Sequence, residues 1–389
     1  LRYFLRILLV LVMLEALSRL WLFKLSDEDT FLKYAAINQM DSAFPSTSFR
    51  FSFHRYLGYV PTPNYRKASN QHNSLGFRGE EFPLTKLPEE WRIVCVGGST
   101  TYGSFTNGIA NEDYRSSYPY LLQQSLHRKG FTQVRVINAG VGGWRSWESL
   151  INFQFRLLPL NPDLVIIYEG VNDINARMVW PPEEYQADNS GAVSPKFSRV
   201  FMPPLWEYST FLRSAMLYFG VINPHASLPR LLNPGNTDHY FGDLFLQQKR
   251  DGVYPDGIFK TVPAMTMLDN NKPVFFERNV ASMIDIAQAN HIKVIISTIA
   301  FDAEDFPDYP STSSAEFVRS YEEHNAILQQ LATRKDTGFI DTNLFLQKNK
   351  TLFADGHHFT AAGAASMADN LAGYIDAQHW LHPSTAHTP

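Results

Sequence analysis

Residues 92–103, RIVCVGGSTTYG, decide how the rest of the chain is read. The first five form a short, β-branched apolar run, the pattern of a buried strand. Gly97 and Gly98 break it, Ser99 follows, and Thr100, Thr101 and Gly103 continue a polar turn. A serine on a tight turn at the carboxyl end of a buried strand can present its hydroxyl to a crevice. An ordinary strand-to-helix turn has the same composition, so the reading rests on what surrounds it.

Outward from this stretch the rhythm is regular. A helix is expected near 117–129, with Leu121, Leu122 and Leu126 on one face and Gly130 as its stop. Strand 134–138 (VRVIN), helix 146–158 and strand 163–168 (DLVIIY) follow, and short turns join them. After an interruption come helix 275–290, strand 293–298, helix 315–334, a short strand at 338–341 and a helix at 361–376. Strands alternating with helices predict an α/β fold on a parallel sheet. The interruption, 180–275, holds eleven prolines and many aromatics, and it reads as an insertion too rich in proline for long helices except near 207–221. The expected organisation is an N-terminal helix at 1–25, an extension at 26–90, the α/β body at 91–179 and 276–380 around the insertion, and a tail at 381–389. In the extension the Arg78-Gly79 pair, within NSLGFRGEEF at 73–82, reads as a plain turn, with a packing or substrate element as the alternative.

With 389 residues, 44% hydrophobic and 19% charged, the chain is globular and long enough for a large core. A net charge of -4 speaks against a nucleic-acid partner. The single cysteine, Cys95, lies inside the first strand and reads as a core residue.

Residues 3–23, YFLRILLVLVMLEALSRLWLF, are long enough to span a bilayer, and 7–14 are unbroken apolar. Glu15 and Arg19, spaced i,i+4, can pair near one end, and Arg2 and Arg6 would keep the N-terminus cytoplasmic. The expectation is a single-span transmembrane anchor with the body in the periplasm or outside the cell. A cleavable signal peptide, with Ala16-Leu17-Ser18 at the cleavage position, and a buried amphipathic helix are the competing readings.

Four polar turns then share one crevice, because loops at the carboxyl ends of parallel strands do so. They hold Ser99, the glycines of NAGVGGWRS at 138–146, Asn172 of GVND at 170–173, and Asp355 with His358 of DGHHFTAAG at 355–363. Acyl transfer needs such a set. A histidine takes the serine proton, a carboxylate holds the imidazole, and preorganised donors meet the oxyanion. The N–H groups of Ser99 and Gly143 and the Asn172 amide are the candidate donors. His357 reads as a neighbour of the base. Two adjacent histidines are expected to point in different directions, so neither a metal nor a cofactor is expected. Asp173 reads as a turn or cap residue.

These four blocks, in this order, resemble the SGNH (GDSL-type) hydrolases. The resemblance implies a three-layer α/β/α fold of flavodoxin-like type, Ser99 as nucleophile, His358 as base, Asp355 as its partner, and Gly143 and Asn172 in the oxyanion hole. The first block departs from Gly-Asp-Ser, because Gly98 stands where the aspartate would be, and such GGST blocks resemble membrane-anchored members with an NSLGFRG-like stretch upstream. The implied partner is an acylated small molecule or glycan, with water or a sugar hydroxyl as acceptor. The alternative is a non-catalytic subunit whose anchor and insertion assemble with other membrane or surface proteins.

Overall fold

The computed structural model describes residues 2–36, 39, 50–54, 57–104, 113–186, 205–222, 262–304, 314–347 and 349–381. Two small antiparallel hairpins come first, β1 (Phe51–His54) with β2 (Gly58–Pro61) and β3 (Arg66–Lys67) with β4 (Asn70–Gln71). The main sheet follows: β5 (Trp91–Gly97), β6 (Val134–Asn138), β7 (Leu164–Tyr168), β8 (Lys293–Ser297) and β9 (Gly338–Ile340). All its pairings are parallel, in the order β6-β5-β7-β8-β9. Taken in chain order within the sheet this is 2-1-3-4-5, the doubly wound flavodoxin-like order, whose switch point lies between the first and third strands. The turns after β5 and β7 therefore flank one crevice.

Helices cover both faces. Tyr118–Arg128 packs beside Ala361–Ala377, and Val274–Ala289 lies against Ser146–Asn152 and Ser314–Arg334. The expected parallel α/β sheet is therefore present, with strand and helix bounds within a few residues of those read from periodicity. Every side chain of β7 is buried, as is every one of β5 after Trp91. A strand covered by helices on both faces must read as a continuous apolar run. Cys95 is wholly buried, and burial pushes its thiol pKa up.

The expected transmembrane helix needs correction: no helix among the described residues is long and apolar enough to cross a membrane. Residues 3–23 are helical, as Arg2–Leu20 continuing into a π-turn at Trp21–Leu25. However, Arg2, Arg6, Glu15 and Arg19 interrupt the apolar surface of the first helix. Glu15 and Arg19 do pair, at 2.7 Å. The Glu15 carboxylate also accepts hydrogen bonds from Ser209 Oγ at 2.8 Å, Thr210 N at 3.1 Å and Phe211 N at 3.0 Å. It thus helps cap the helix Thr210–Tyr218, the one helix expected inside the insertion. Arg213, fully buried in that helix, donates to the Tyr34 and Ala35 carbonyls and pairs with Glu207. This part of the insertion is fastened to the N-terminal helices. Phe201, Tyr240 and Phe241 of the insertion, and the tail from 382, lie outside the described residues.

Burial opposes the charge on Glu15, yet hydrogen bonds from Phe211, Arg19, Ser209 and Thr210 hold its pKa down at about 2. A carboxylate with a depressed pKa stabilises the fold above its ordinary pKa of 4.5, and that contribution is lost as pH falls towards 2. Glu15→Ala should remove a cap worth about 1 kcal/mol. Limited proteolysis at pH 7 should then cut within 205–222 faster in the variant, a difference that should narrow near pH 3. Equal cleavage of variant and wild type at pH 7 would contradict the capping role.

Candidate active site

β5 ends in Gly97, and Ser99 opens a single helical turn, Ser99–Tyr102, closed by Gly103 in the left-handed region. Ser99 Oγ lies 2.8 Å from His358 Nε2, and His358 Nδ1 lies 2.7 Å from Asp355 Oδ2. The other carboxylate oxygen, Oδ1, accepts the backbone N–H of His357 at 2.9 Å and of His358 at 2.8 Å. One short loop thereby orients acid and imidazole together. Burial works against the Asp355 charge, but attraction to His358 and His357 and these hydrogen bonds hold its pKa well below the carboxylate range. An ionised Asp355 accepting from Nδ1 leaves Nε2 of a neutral His358 as an acceptor facing the Ser99 hydroxyl.

His357 behaves differently. Burial, with the charge of His358 alongside, lowers its pKa to about 3, so it stays neutral. The expectation that the two histidines point apart is not met: their ring centroids are 4.0 Å apart. Their ligand atoms and those of Asp355 lie within 4.8 Å of one another, a spacing a cation could use. Binding there through His358 Nδ1 would have to break its bond to Asp355.

The oxyanion candidates come from the two neighbouring strands. After β6 the chain makes a tight turn, in which Trp144 N donates to Val141 O at 3.2 Å and Gly143 has φ +81°. A Cβ added at Gly142 would sit 3.8 Å from Ser99 Cβ, which places this turn beside the nucleophile candidate. After β7, Asn172 Nδ2 donates to Trp144 O at 2.8 Å. That bond uses one amide hydrogen and fixes the direction of the second. Asp173 accepts from Ser146 N at 3.0 Å and Ser146 Oγ at 2.5 Å, which ties the third block to the start of the helix after the second. The cap reading of Asp173 fits this contact. His324, fully buried and stacked on Phe276 at 4.3 Å, meets Gly170 O through Nδ1 at 3.0 Å and supports the same block from behind.

Gly98 has a local reason. A Cβ there would meet Asn172 Nδ2 at 2.9 Å, closer than real Cβ atoms approach other groups. A carboxylate-bearing side chain at 98 would displace the Asn172 amide from this position.

Three residues of the extension support the site unannounced by periodicity. Tyr59 of β2 donates from its hydroxyl to Gly142 O at 2.6 Å. Arg78 is not in a plain turn. It is buried, lies 4.1 Å over the Tyr102 ring, donates to Asn70 Oδ1 at 3.1 Å and to Tyr102 O, and forms a β-bridge with Asn138. His72, whose pKa burial lowers to about 3, contacts the Tyr102 hydroxyl at 2.9 Å. The NSLGFRG stretch is thus a brace under the turn that carries Ser99, and its mixed polar composition was the available signal.

Taken together, a doubly wound α/β sheet with a hydrogen-bonded Ser–His–Asp series at its switch point defines the class as hydrolase-like. Residues 95–365, which include all four blocks, match the GDSL-like Lipase/Acylhydrolase family, and the chain belongs to that family. No curated protein matches it. Among solved structures, the lipase/acylhydrolase from Enterococcus faecalis is 17% identical, with 76% of this chain and 100% of that chain covered and a TM-score of 0.42. A GDSL-like lipase from Bacteroides thetaiotaomicron is 16% identical, covering 76% and 90%, with a TM-score of 0.39. An acetyl xylan esterase is also 16% identical, covering 73% and 99%, with a TM-score of 0.39. At these similarities none of them speaks to the substrate.

Gly98→Ala should push Asn172 off Trp144 O without touching the buried strand. Turnover of an activated acetyl ester should fall about 10²-fold, the scale of losing one oxyanion donor, while thermal stability changes little. Wild-type turnover in Gly98→Ala would show that the approach of Asn172 to position 98 has no bearing on activity.

Proposed function

We propose that this protein is a serine esterase that removes or transfers an O-acyl group through an acyl-enzyme on Ser99. The observation that carries the reading is the unbroken series Ser99 Oγ, His358 Nε2, His358 Nδ1, Asp355 Oδ2 at 2.8 and 2.7 Å. His358 Nε2 takes the hydroxyl proton as Ser99 Oγ attacks the acyl carbonyl carbon. The carbonyl oxygen becomes an oxyanion met by the N–H groups of Ser99 and Gly143 and by the Asn172 amide. Collapse breaks the ester C–O bond, and His358 hands its proton to the departing alkoxide. Water, or a sugar hydroxyl in a transferase, then repeats the sequence on the acyl-Ser99 ester and frees the serine.

The substrate class we favour is an O-acylated glycan, and the attachment we favour is to a lipid surface, with the body outside the cytoplasm. Support for the attachment comes from the N-terminal helix. Tyr3, Phe4, Leu5 and the apolar residues at 7–13 are all exposed, on every side of the helix. So large a run of exposed apolar side chains is covered better by an apolar surface than by water. The rival reading is a non-catalytic member of an assembly.

A fluorophosphonate probe and a short acyl ester separate the two readings. Wild type should be labelled on Ser99 and should turn over the ester. Ser99→Ala and His358→Ala should each lose several orders of magnitude, and the double variant little more, because residues acting as one unit are strongly non-additive. Asp355→Asn should lower turnover by holding the wrong imidazole tautomer while the circular dichroism stays native. An unlabelled, inert wild type would leave the assembly reading, and full activity in Ser99→Ala would end the assignment.

A further inference from the structure

The turn formed by Val141, Gly142, Gly143 and Trp144 has two alternatives open to it. Its closing bond from Trp144 N to Val141 O and the φ of +81° at Gly143 make it a type II turn. A type I turn keeps the same closing bond and differs by rotation of the central peptide, here Gly142–Gly143. With glycine at both central positions, no Cβ selects one form over the other. Something outside the turn must choose.

The Tyr59 hydroxyl is placed to do so. It donates to Gly142 O at 2.6 Å. Its ring is fixed edge-on to Phe51 at 5.4 Å and lies 6.4 Å from Trp144, while its own carbonyl accepts from Trp144 Nε1 at 3.2 Å. Hairpin pairing between β1 and β2 fixes its backbone. In a trans peptide the carbonyl and the next N–H point in opposite directions. A hydroxyl that holds the Gly142 carbonyl therefore also sets the direction of the Gly143 N–H.

We propose that Tyr59 is a positioning residue for acyl transfer: its hydroxyl locks the Gly142–Gly143 peptide so that the Gly143 N–H faces the oxyanion. This rests on the esterase reading above, in which that N–H is an oxyanion donor. With the hydroxyl absent, the turn spends part of its time with the carbonyl turned towards the site, where it repels a developing negative charge. The lock acts on the transition state, because a ground-state ester carries little charge on its carbonyl oxygen.

Tyr59→Phe in the full chain keeps the ring packing and removes only the donor. Its kcat for a short acyl ester should fall about tenfold, the scale by which one net hydrogen bond shifts a two-state equilibrium. Its KM should stay within about twofold, because ground-state binding is spared. The affinity for an aryl boronic acid, which forms a tetrahedral adduct on the serine, should drop by the same factor as kcat. A merely structural role for Tyr59 would lower stability without this matched loss.

Gly143→Ala gives a second approach. Its Cβ would sit 2.6 Å from the Tyr59 hydroxyl at a φ of +81°, which drives the peptide towards the flipped form. A loss of about 10²–10³-fold is expected, the scale of one missing oxyanion donor. An active wild type with Tyr59→Phe unchanged in kcat and boronate affinity overturns the lock and leaves the esterase reading intact. If Tyr59→Phe fails to fold, wild-type kcat and boronate affinity in Gly143→Ala overturn it instead. A wild type that is inert and unlabelled by the fluorophosphonate removes both.

Discussion

The positions of Ser99, the Gly142–Gly143 turn and Asn172 depend on the immobility of β5. Ile93, Val94, Cys95 and Val96 are wholly buried, and the strand is hydrogen-bonded to β6 on one edge and β7 on the other. The register is held at the strand's start by Arg92, which is fully buried. It donates to Leu84 O at 2.9 Å, Leu160 O at 2.8 Å and Pro83 O at 2.6 Å, and pairs with Glu90 at 2.9 Å. A one-residue slip would strand that charge among apolar side chains, and breaking a buried ion pair costs about 3–5 kcal/mol. The pairings Cys95 with Asn138 and Gly97 with Tyr168 then bring the ends of three strands to one level. Ser99, the Gly142–Gly143 turn and Asn172 leave the sheet together because the sheet gives them no other place.

This is why so much of the fold and of the candidate site could be read from the sequence. A doubly covered parallel strand must be apolar throughout, so 93–96 and 164–168 announced themselves, and the edge strand 134–138 showed as a shorter β-branched run. The glycines and polar turns after them marked the carboxyl ends. What was not legible has a common cause, which is that its partners are tertiary. The hairpins at 51–71 are two to four residues per strand, too short to show alternation. Arg78 and His72 look like surface residues until Tyr102 and Asn70 close over them. The N-terminal helix reads as a membrane span because hydropathy is a local property. The partners of Glu15 at Ser209, Thr210 and Phe211 lie far along the chain, and no window of sequence contains both.

The extension is accordingly part of the machinery, not a spacer. Tyr102 is the hub: it stacks under Arg78, lies 5.8 Å from Phe51, and its hydroxyl meets His72 at 2.9 Å and Asn70 at 3.1 Å. Its backbone belongs to the same helical turn as Ser99. Arg78 and Asn138 both donate to the Tyr102 carbonyl, Asn138 at 3.2 Å. One face of the Ser99 turn is therefore supported by β6 of the sheet and the other by the extension. The cationic Arg78 is tolerated there because its donors meet carbonyl and amide oxygens and its plane meets an aromatic ring.

The far side of the site is organised more locally, by a loop whose own backbone orients its acid and imidazole while Asp302 N, after β8, holds it through Gly356 O at 2.9 Å. Asp355 accepts two backbone N–H groups from residues two and three positions on, so its carboxylate is oriented within the loop itself. The same three-residue spacing brings His358 Nδ1 onto its second oxygen. His357, one residue earlier, is 3.8 Å from Asp355 Oδ1 and is buried to the point of refusing a proton. The loop thus separates two adjacent imidazoles by environment: one is held neutral by burial, and the other is set between a carboxylate and a hydroxyl. The polar link that joins this loop to the nucleophile is Ser99 Oγ to His358 Nε2, closed across 259 positions. A rigid strand on one side and a self-oriented loop on the other reduce that closure to placing one ring nitrogen against one oxygen.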